Sequence, residues 1–290
     1  MRKIAAFAGL TLLGFLLAGL VAWPLLGEGG RPTAGGNIAG LLVGVLAVVG
    51  ASWFCVRRFD RRPLSAVGIG LDRPWLKHLG WGSAAGVGLF SLCLAGYTGA
   101  RLASVRLNPE LAGQGRDVLI GALFCLLFAG WEELVCRGYA FQAVARRNLS
   151  LAVLLSGLVF IAMHLTNPGV YHPLVLANLF LGHVWFAVSY LRTRSLWLPI
   201  GLHAGWNFAQ YFLFGIVESQ VGLSANLLIT DWDRTLWTGN EFGPEGGVAV
   251  TLVVGAAIVV VWRWVKQQRP QHDLLARDAA GGPLSPATSE

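Results

Sequence analysis

Charged residues are scarce in this sequence: 13% of 290 positions, against 55% hydrophobic, with a mean hydropathy of +0.60. A soluble domain of this length carries roughly a quarter charged residues, so an ordinary water-facing globule is excluded. Cysteine is also rare. Cys55, Cys93, Cys125 and Cys136 lie in or beside apolar runs and form no CxxC pair, which removes a disulfide framework or a zinc ribbon. No internal repeat is evident, which argues against an inverted-repeat transporter. The net charge is +7, yet the cations come in short groups between apolar runs and form no basic groove, so no nucleic-acid partner is expected.

What the chain does have is long uncharged runs, the mark of transmembrane helices. Eight spans are expected, at about 4–26, 36–56, 79–100, 116–136, 150–166, 173–191, 196–215 and 247–265. The fold class is therefore an all-α polytopic membrane protein with about eight transmembrane helices and an intramembrane polar site. The first span follows a basic start but is too long for a signal-peptide core and lacks an A-x-A site, so it reads as uncleaved. The fourth helix is expected to run on to about Arg147, and "RRPLSAVGIGLDRPWLKHLG" to lie at the interface. Four segments emerge: spans one to three with a cytoplasmic loop (1–110), a core (115–250), a last span (247–268) and a disordered cytoplasmic tail (270–290).

The basic residues set an orientation. With the N-terminus inside, seventeen Lys and Arg fall in cytoplasmic segments, and only Arg31, Arg101, Arg106, Arg116 and Arg234 fall outside. Both termini are then cytoplasmic, and the lipid bilayer is a constant partner.

Against this apolar background, "GWEELVCRGYAF" (130–141) stands out. Ionisable side chains within spans are costly and functional by default. The set comprises Glu132, Glu133, Arg137, His164, His183 and His203, with Asn207 as a polar companion. Glu133 and Arg137, four apart, share a helix face and can neutralise each other. Glu132 points about 100° away from Glu133. If spans four and five form a hairpin turning near Asn148, Glu132 and His164 each lie about 24 Å from that turn at about 1.5 Å per residue. A carboxylate and an imidazole at one level can act as base and partner toward a water. His203 and Asn207 also share a face, and could donate to an oxyanion; alternatively, His203 could join Glu132 and His164 around a metal.

Each group also has a plainer reading. Glu133 with Arg137 suits a structural pair, His183 in "LGHVWF" an interhelical hydrogen bond, and Asn207 glue between helices. Cys136 beside the glutamates is a nucleophile by position, but a small packed thiol by type. Their shared depth in the membrane is what favours a site.

At this point the residues resemble a known family. "EELVCR" fits EExxxR, "FIAMH" fits FxxxH at Phe160 and His164, and "HAGWN" fits HxxxN. Three motifs in this order and spacing are similar to the CPBP family of intramembrane proteases, also called Abi or type II CAAX prenyl endopeptidase-like proteins. The likeness extends over about residues 115–250, including "TGNEFGPEGG". It implies that Glu132 and His164 activate a hydrolytic water, that His203 and Asn207 stabilise the oxyanion, and that Glu133 and Arg137 support the site. It leaves the cofactor open: none, or a divalent metal such as zinc on Glu132, His164 and His203. The donor set is poor in ligand redundancy, which favours the metal-free form.

The expected activity is an intramembrane endopeptidase acting on a membrane-anchored or apolar peptide or protein. The alternatives are a catalytically silent scaffold or immunity protein of the same fold, and a transporter using Glu and His as a proton relay. The Ala/Gly/Leu/Arg-rich composition suggests a bacterial chain in the cytoplasmic membrane, where prenylated CAAX substrates are not expected.

Overall fold

A computed structural model of the protein describes residues 2–25, 33–71, 74–110, 113–216 and 225–265. The expected tail 270–290 lies outside the described residues, as do positions 217–224 of the loop that follows span seven. The described residues form helices α1 (Arg2–Ala22), α2 (Ala34–Cys55), α3 (Trp75–Gly99), α4 (Gly115–Arg137), α5 (Tyr139–Ala145), α6 (Leu149–Ala162), α7 (Pro173–Thr193), α8 (Trp197–Phe208) and α9 (Val248–Trp264). Two short strands, β1 (Ala103–Leu107) and β2 (Leu228–Trp232), pair antiparallel with Ala103 opposite Trp232 and Leu107 opposite Leu228.

The protein is an all-α integral membrane protein. Five helical segments are long and apolar enough to cross a bilayer: Arg2–Leu25, Ala34–Asp60, Trp75–Gly99, Gly115–Ala145 and Pro173–Thr193. Leu12, Leu16, Leu20 and Leu46 are exposed on α1 and α2; such contiguous apolar surface is at home in lipid, where each helix satisfies its own backbone. Each of the eight expected spans corresponds to a helix, but those of spans five, seven and eight are shorter than expected. α6 has 14 residues, α8 has 12 before a π turn over Ala209–Leu213, and α9 has 17. α6 stops because "TNPG" follows its end: Pro168 cannot continue a helix, and Gly169 takes a left-handed φ of 73°.

The fourth helix does extend toward Arg147, but in two pieces. At Gly138 ψ is −140°, which interrupts the helix, and a side chain there would strike the Leu134 carbonyl. The chain then resumes as α5, turns at Asn148, whose side chain caps α6 by accepting from the Leu151 N–H at 2.9 Å, and enters α6.

Helix packing places the polar residues. α4 is central, touching α2, α5, α6 and α8, and α8 lies along α3. The α3–α8 contact is backbone on backbone. Gly82 and Gly86 of α3 face Gly201 and Gly205 of α8; a Cβ on Gly86 would fall on the Leu202 carbonyl, and one on Gly205 on the Ser83 carbonyl. Small residues four apart on both helices allow this approach, the way helices associate in lipid. That contact fixes α8, and with it the residues His203 and Asn207.

Two rims follow from the hydrogen bonds. Lys3 and Arg146 both pair with Asp60 (3.0 and 3.1 Å), the Leu196 N–H donates to Gly68 O, and Arg192 Nε donates to Val265 O. These contacts gather the start of α1 and of α8 with the ends of α2, α5, α7 and α9. At the other rim the β1–β2 pair and Asn178, which donates to the Glu245 and Gly247 carbonyls at 2.9 Å each, join the end of α3 to the starts of α7 and α9.

Overpacking a tight core contact costs about 1–3 kcal/mol or more. Gly205→Leu should therefore lower the thermal midpoint in detergent by several degrees and cut the yield of folded protein. Gly88→Leu, on α3 with open space around its Cβ, should leave both unchanged. Equal thermal midpoints for the two variants contradict the close α3–α8 contact.

Candidate active site

α4 supplies three charges at its buried end. Glu132, Glu133 and Arg137 are 2%, 0% and 0% exposed. Arg137 Nη1 donates to Glu133 Oε1 at 3.0 Å, one helical turn away, and Nη2 donates to the backbone carbonyl of His183 on α7 at 3.0 Å. The guanidinium sits over the rings of Phe160 (5.1 Å) and Phe186 (5.3 Å). A weakly hydrated planar cation held between aromatic faces and bonded on two nitrogens can be kept out of water. Phe160 is the aromatic residue of the FxxxH motif, so that motif contributes both a wall for Arg137 and the segment leading to His164.

The same Glu133 Oε1 also meets His203 Nδ1, at 3.1 Å. A carboxylate already accepting from arginine is ionised and can only accept, so Nδ1 carries the hydrogen. The other ring nitrogen, Nε2, lies 3.3 Å from Glu132 Oε2. That contact is within ion-pair distance without hydrogen-bond alignment, and Oε2 has no hydrogen-bond donor. The imidazole stacks on Phe186, with centroids 4.7 Å apart and planes 16° apart. His203 thus lies between the two adjacent glutamates. A proton on His203 with Glu132 ionised, or on Glu132 with His203 neutral, leaves the four groups without net charge, the condition under which burial is tolerable.

His164 reaches the site by another route than expected. Two uninterrupted antiparallel helices were to bring it level with Glu132, but α4 breaks at Gly138 and α6 ends at Ala162. His164 lies in the turn beyond α6, its Nδ1 donating to the Phe160 carbonyl at 2.8 Å. A neutral ring held this way presents the Nε2 lone pair. Glu132, His164, His203 and Asn207 nevertheless line one cavity of about 140 Å³, walled by Phe124, Phe128 and Phe186. The imidazole within ion-pair distance of Glu132 is that of His203, whereas His164 shares only the cavity with it.

His183 and Cys136 do not line this cavity. His183 is fully buried, with Nε2 3.1 Å from Ser156 Oγ, an α6–α7 contact of the packing kind expected for it. Cys136 is 1% exposed within the apolar core. Sequence reasoning missed three further polar lining residues: Glu245, Asn178 and Tyr211. Glu245 Oε1 accepts from Trp206 Nε1 at 2.8 Å, so the loop before α9 is tied to the helix that carries His203. The only signal for it was the segment "TGNEFGPEGG", noted without a role for its acids.

The donor set does not assemble as a three-ligand metal site. Among the described residues, no three His, Cys, Asp or Glu side chains converge on a common point. His203 Nδ1 is committed to Glu133, leaving Nε2 and Glu132 Oε2 as one adjacent pair. A catalytic zinc site takes three protein ligands with an open position, and no step is derived through a metal.

Residues 114–209 match the family model of the Rce1-like type II CAAX prenyl endopeptidases, the family that the three motifs resemble. The matched stretch holds Glu132, Glu133, Arg137, His164, His203 and Asn207, and ends before Glu245. No curated protein and no solved structure matches the chain.

Removing one partner of a buried ion pair costs about 3–5 kcal/mol, whereas removing both together costs far less. Glu133→Gln should therefore depress the thermal midpoint strongly, and Glu133→Gln combined with Arg137→Met should recover most of the loss. If the two single variants and the double variant show additive losses in thermal melts, the pair is not coupled as the geometry requires.

Proposed function

We propose that this chain, whose central third matches the Rce1-like endopeptidases, is an intramembrane endopeptidase that cleaves a membrane-anchored or apolar peptide with a water activated by Glu132. The observation that carries the proposal is the convergence of Glu132, His164, His203 and Asn207 on one cavity in an otherwise apolar helical protein. The cavity is large enough for several waters or a peptide unit, and its phenyl walls suit an apolar segment.

The chemistry assigns one role to each group. His164 Nε2 accepts a hydrogen bond from the water and orients it. The tetrahedral oxygen takes hydrogen bonds from His203 Nε2, when protonated, and from the Asn207 amide, two fixed donors in a dry site. As the C–N bond breaks, Glu132 passes its proton to the leaving nitrogen, giving a carboxylate and an amine. Glu133 and Arg137 take no part in the bond changes; they hold the His203 ring.

Comparative peptidomics of membranes from cells expressing the wild type or Glu132→Gln tests the proposal. Products with new termini should occur with the wild type and vanish with the variant at equal protein level. On a substrate so found, Asn207→Ala should retain activity reduced about 10²–10³-fold, as for loss of one oxyanion donor. Exhaustive chelation should leave the wild-type rate intact. A product set unchanged by Glu132→Gln would falsify the assignment of the base. Activity lost on chelation and restored by zinc would overturn the metal-free mechanism.

A further inference from the structure

The cavity is not placed symmetrically between the two rims. Its deepest residues, Glu132, Phe186 and His203, lie near mid-membrane by their positions along α4, α7 and α8. From there the lining runs in one direction only. Thr166 and Asn167 follow the end of α6 remote from Asn148, Asn178 lies near the start of α7, and Glu245 precedes α9. All of these belong to the rim that carries the β1–β2 pair, and Thr166 is exposed there. No lining residue comes from the opposite rim, the one tied together by Lys3, Asp60 and Arg146.

The rims differ sharply in charge. Among the described residues, the rim around Asp60 carries Lys3, Arg57, Arg58, Arg61, Arg62, Arg146, Arg147, Arg192 and Arg194, with Asp60 as its acid. The rim at the cavity mouth mixes Arg101, Arg106, Arg116 and Arg234 with Glu110, Asp117, Asp231, Asp233, Glu241 and Glu245. An excess of Lys and Arg in short segments beside the spans marks the cytoplasmic side, whereas acids contribute little to the bias. The cavity therefore opens on the face away from the cytoplasmic cations.

Resting on the endopeptidase reading, we propose that the cavity is open to the extracytoplasmic side of the membrane, so that the substrate class is the exported segment of a membrane-anchored peptide. Water reaches Glu132 from that side. The newly formed end of the released product leaves by the same mouth, past Thr166, Asn167 and the Glu245 carboxylate. Peptides that stay in the cytoplasm do not meet the site, because the helix ends bound by Asp60 and the α5–α6 turn stand between them and Glu132.

The test needs no substrate, so it stays informative even if the endopeptidase reading fails. In a background with Cys55, Cys93, Cys125 and Cys136 replaced, all four of which are buried, Thr166→Cys, Asn167→Cys and Arg147→Cys are treated with a small membrane-impermeant maleimide. Detergent-solubilised protein gives the full extent of labelling for each variant. In intact cells Thr166→Cys, and Asn167→Cys as a second reporter, should approach that extent, with Arg147→Cys at background until the cytoplasmic membrane is permeabilised. The reverse pattern, or labelling of both cavity positions only after permeabilisation, overturns the proposal.

Discussion

One oxygen atom, Glu133 Oε1, holds the site together. It accepts from Arg137 of its own helix and from His203 of α8, while the same arginine donates to the backbone of α7. Three helices are thus joined through a carboxylate with no exposed surface. Such a centre is costly to bury and tolerates no missing partner. In return it fixes the imidazole: Nδ1 is tied to Glu133, so Nε2 faces Glu132 and the cavity. The second glutamate of the "EE" pair then has a different task from the first, because 100° of helical rotation separates them.

The surrounding fold serves that arrangement. Glycines on α3 and α8 allow the two backbones into contact, and α8 is thereby seated between α3 and α4. Phe160 and Phe186 enclose Arg137, and Phe186 also stacks on His203. In lipid the apolar exterior contributes little to holding helices together, because lipid tails are as apolar as the side chains. Close packing and the buried polar network carry more of that role than they would in a soluble protein.

Much of this was legible in the sequence because lipid exposure makes polar residues conspicuous. The helices stand out as uncharged runs, and Glu132, Glu133, Arg137, His164, His203 and Asn207 stand out as interruptions of them. Which imidazole sits beside Glu132 was not legible. Counting residues from the turn at Asn148 assumed straight helices, and Gly138 and "TNPG" break that assumption by backbone geometry that periodicity does not reveal. The α3–α8 contact was within reach, since both helices carry glycines four apart. Glu245 was not, because a loop residue has no periodicity to betray its direction, and only its bond to Trp206 brings it to the cavity.

The most direct measurement is the nitrogen resonance pair of the His203 ring, assigned in ¹⁵N-histidine-labelled protein by comparison with a His203→Gln variant. A ring locked by Glu133 gives an Nδ1 resonance of the protonated, hydrogen-bonded type in the wild type. Replacing Glu133 with glutamine should shift that resonance, and replacing Cys136 with alanine should not. An unprotonated Nδ1 in the wild type, or a resonance indifferent to Glu133→Gln, contradicts the shared-carboxylate geometry on which the orientation of His203 rests.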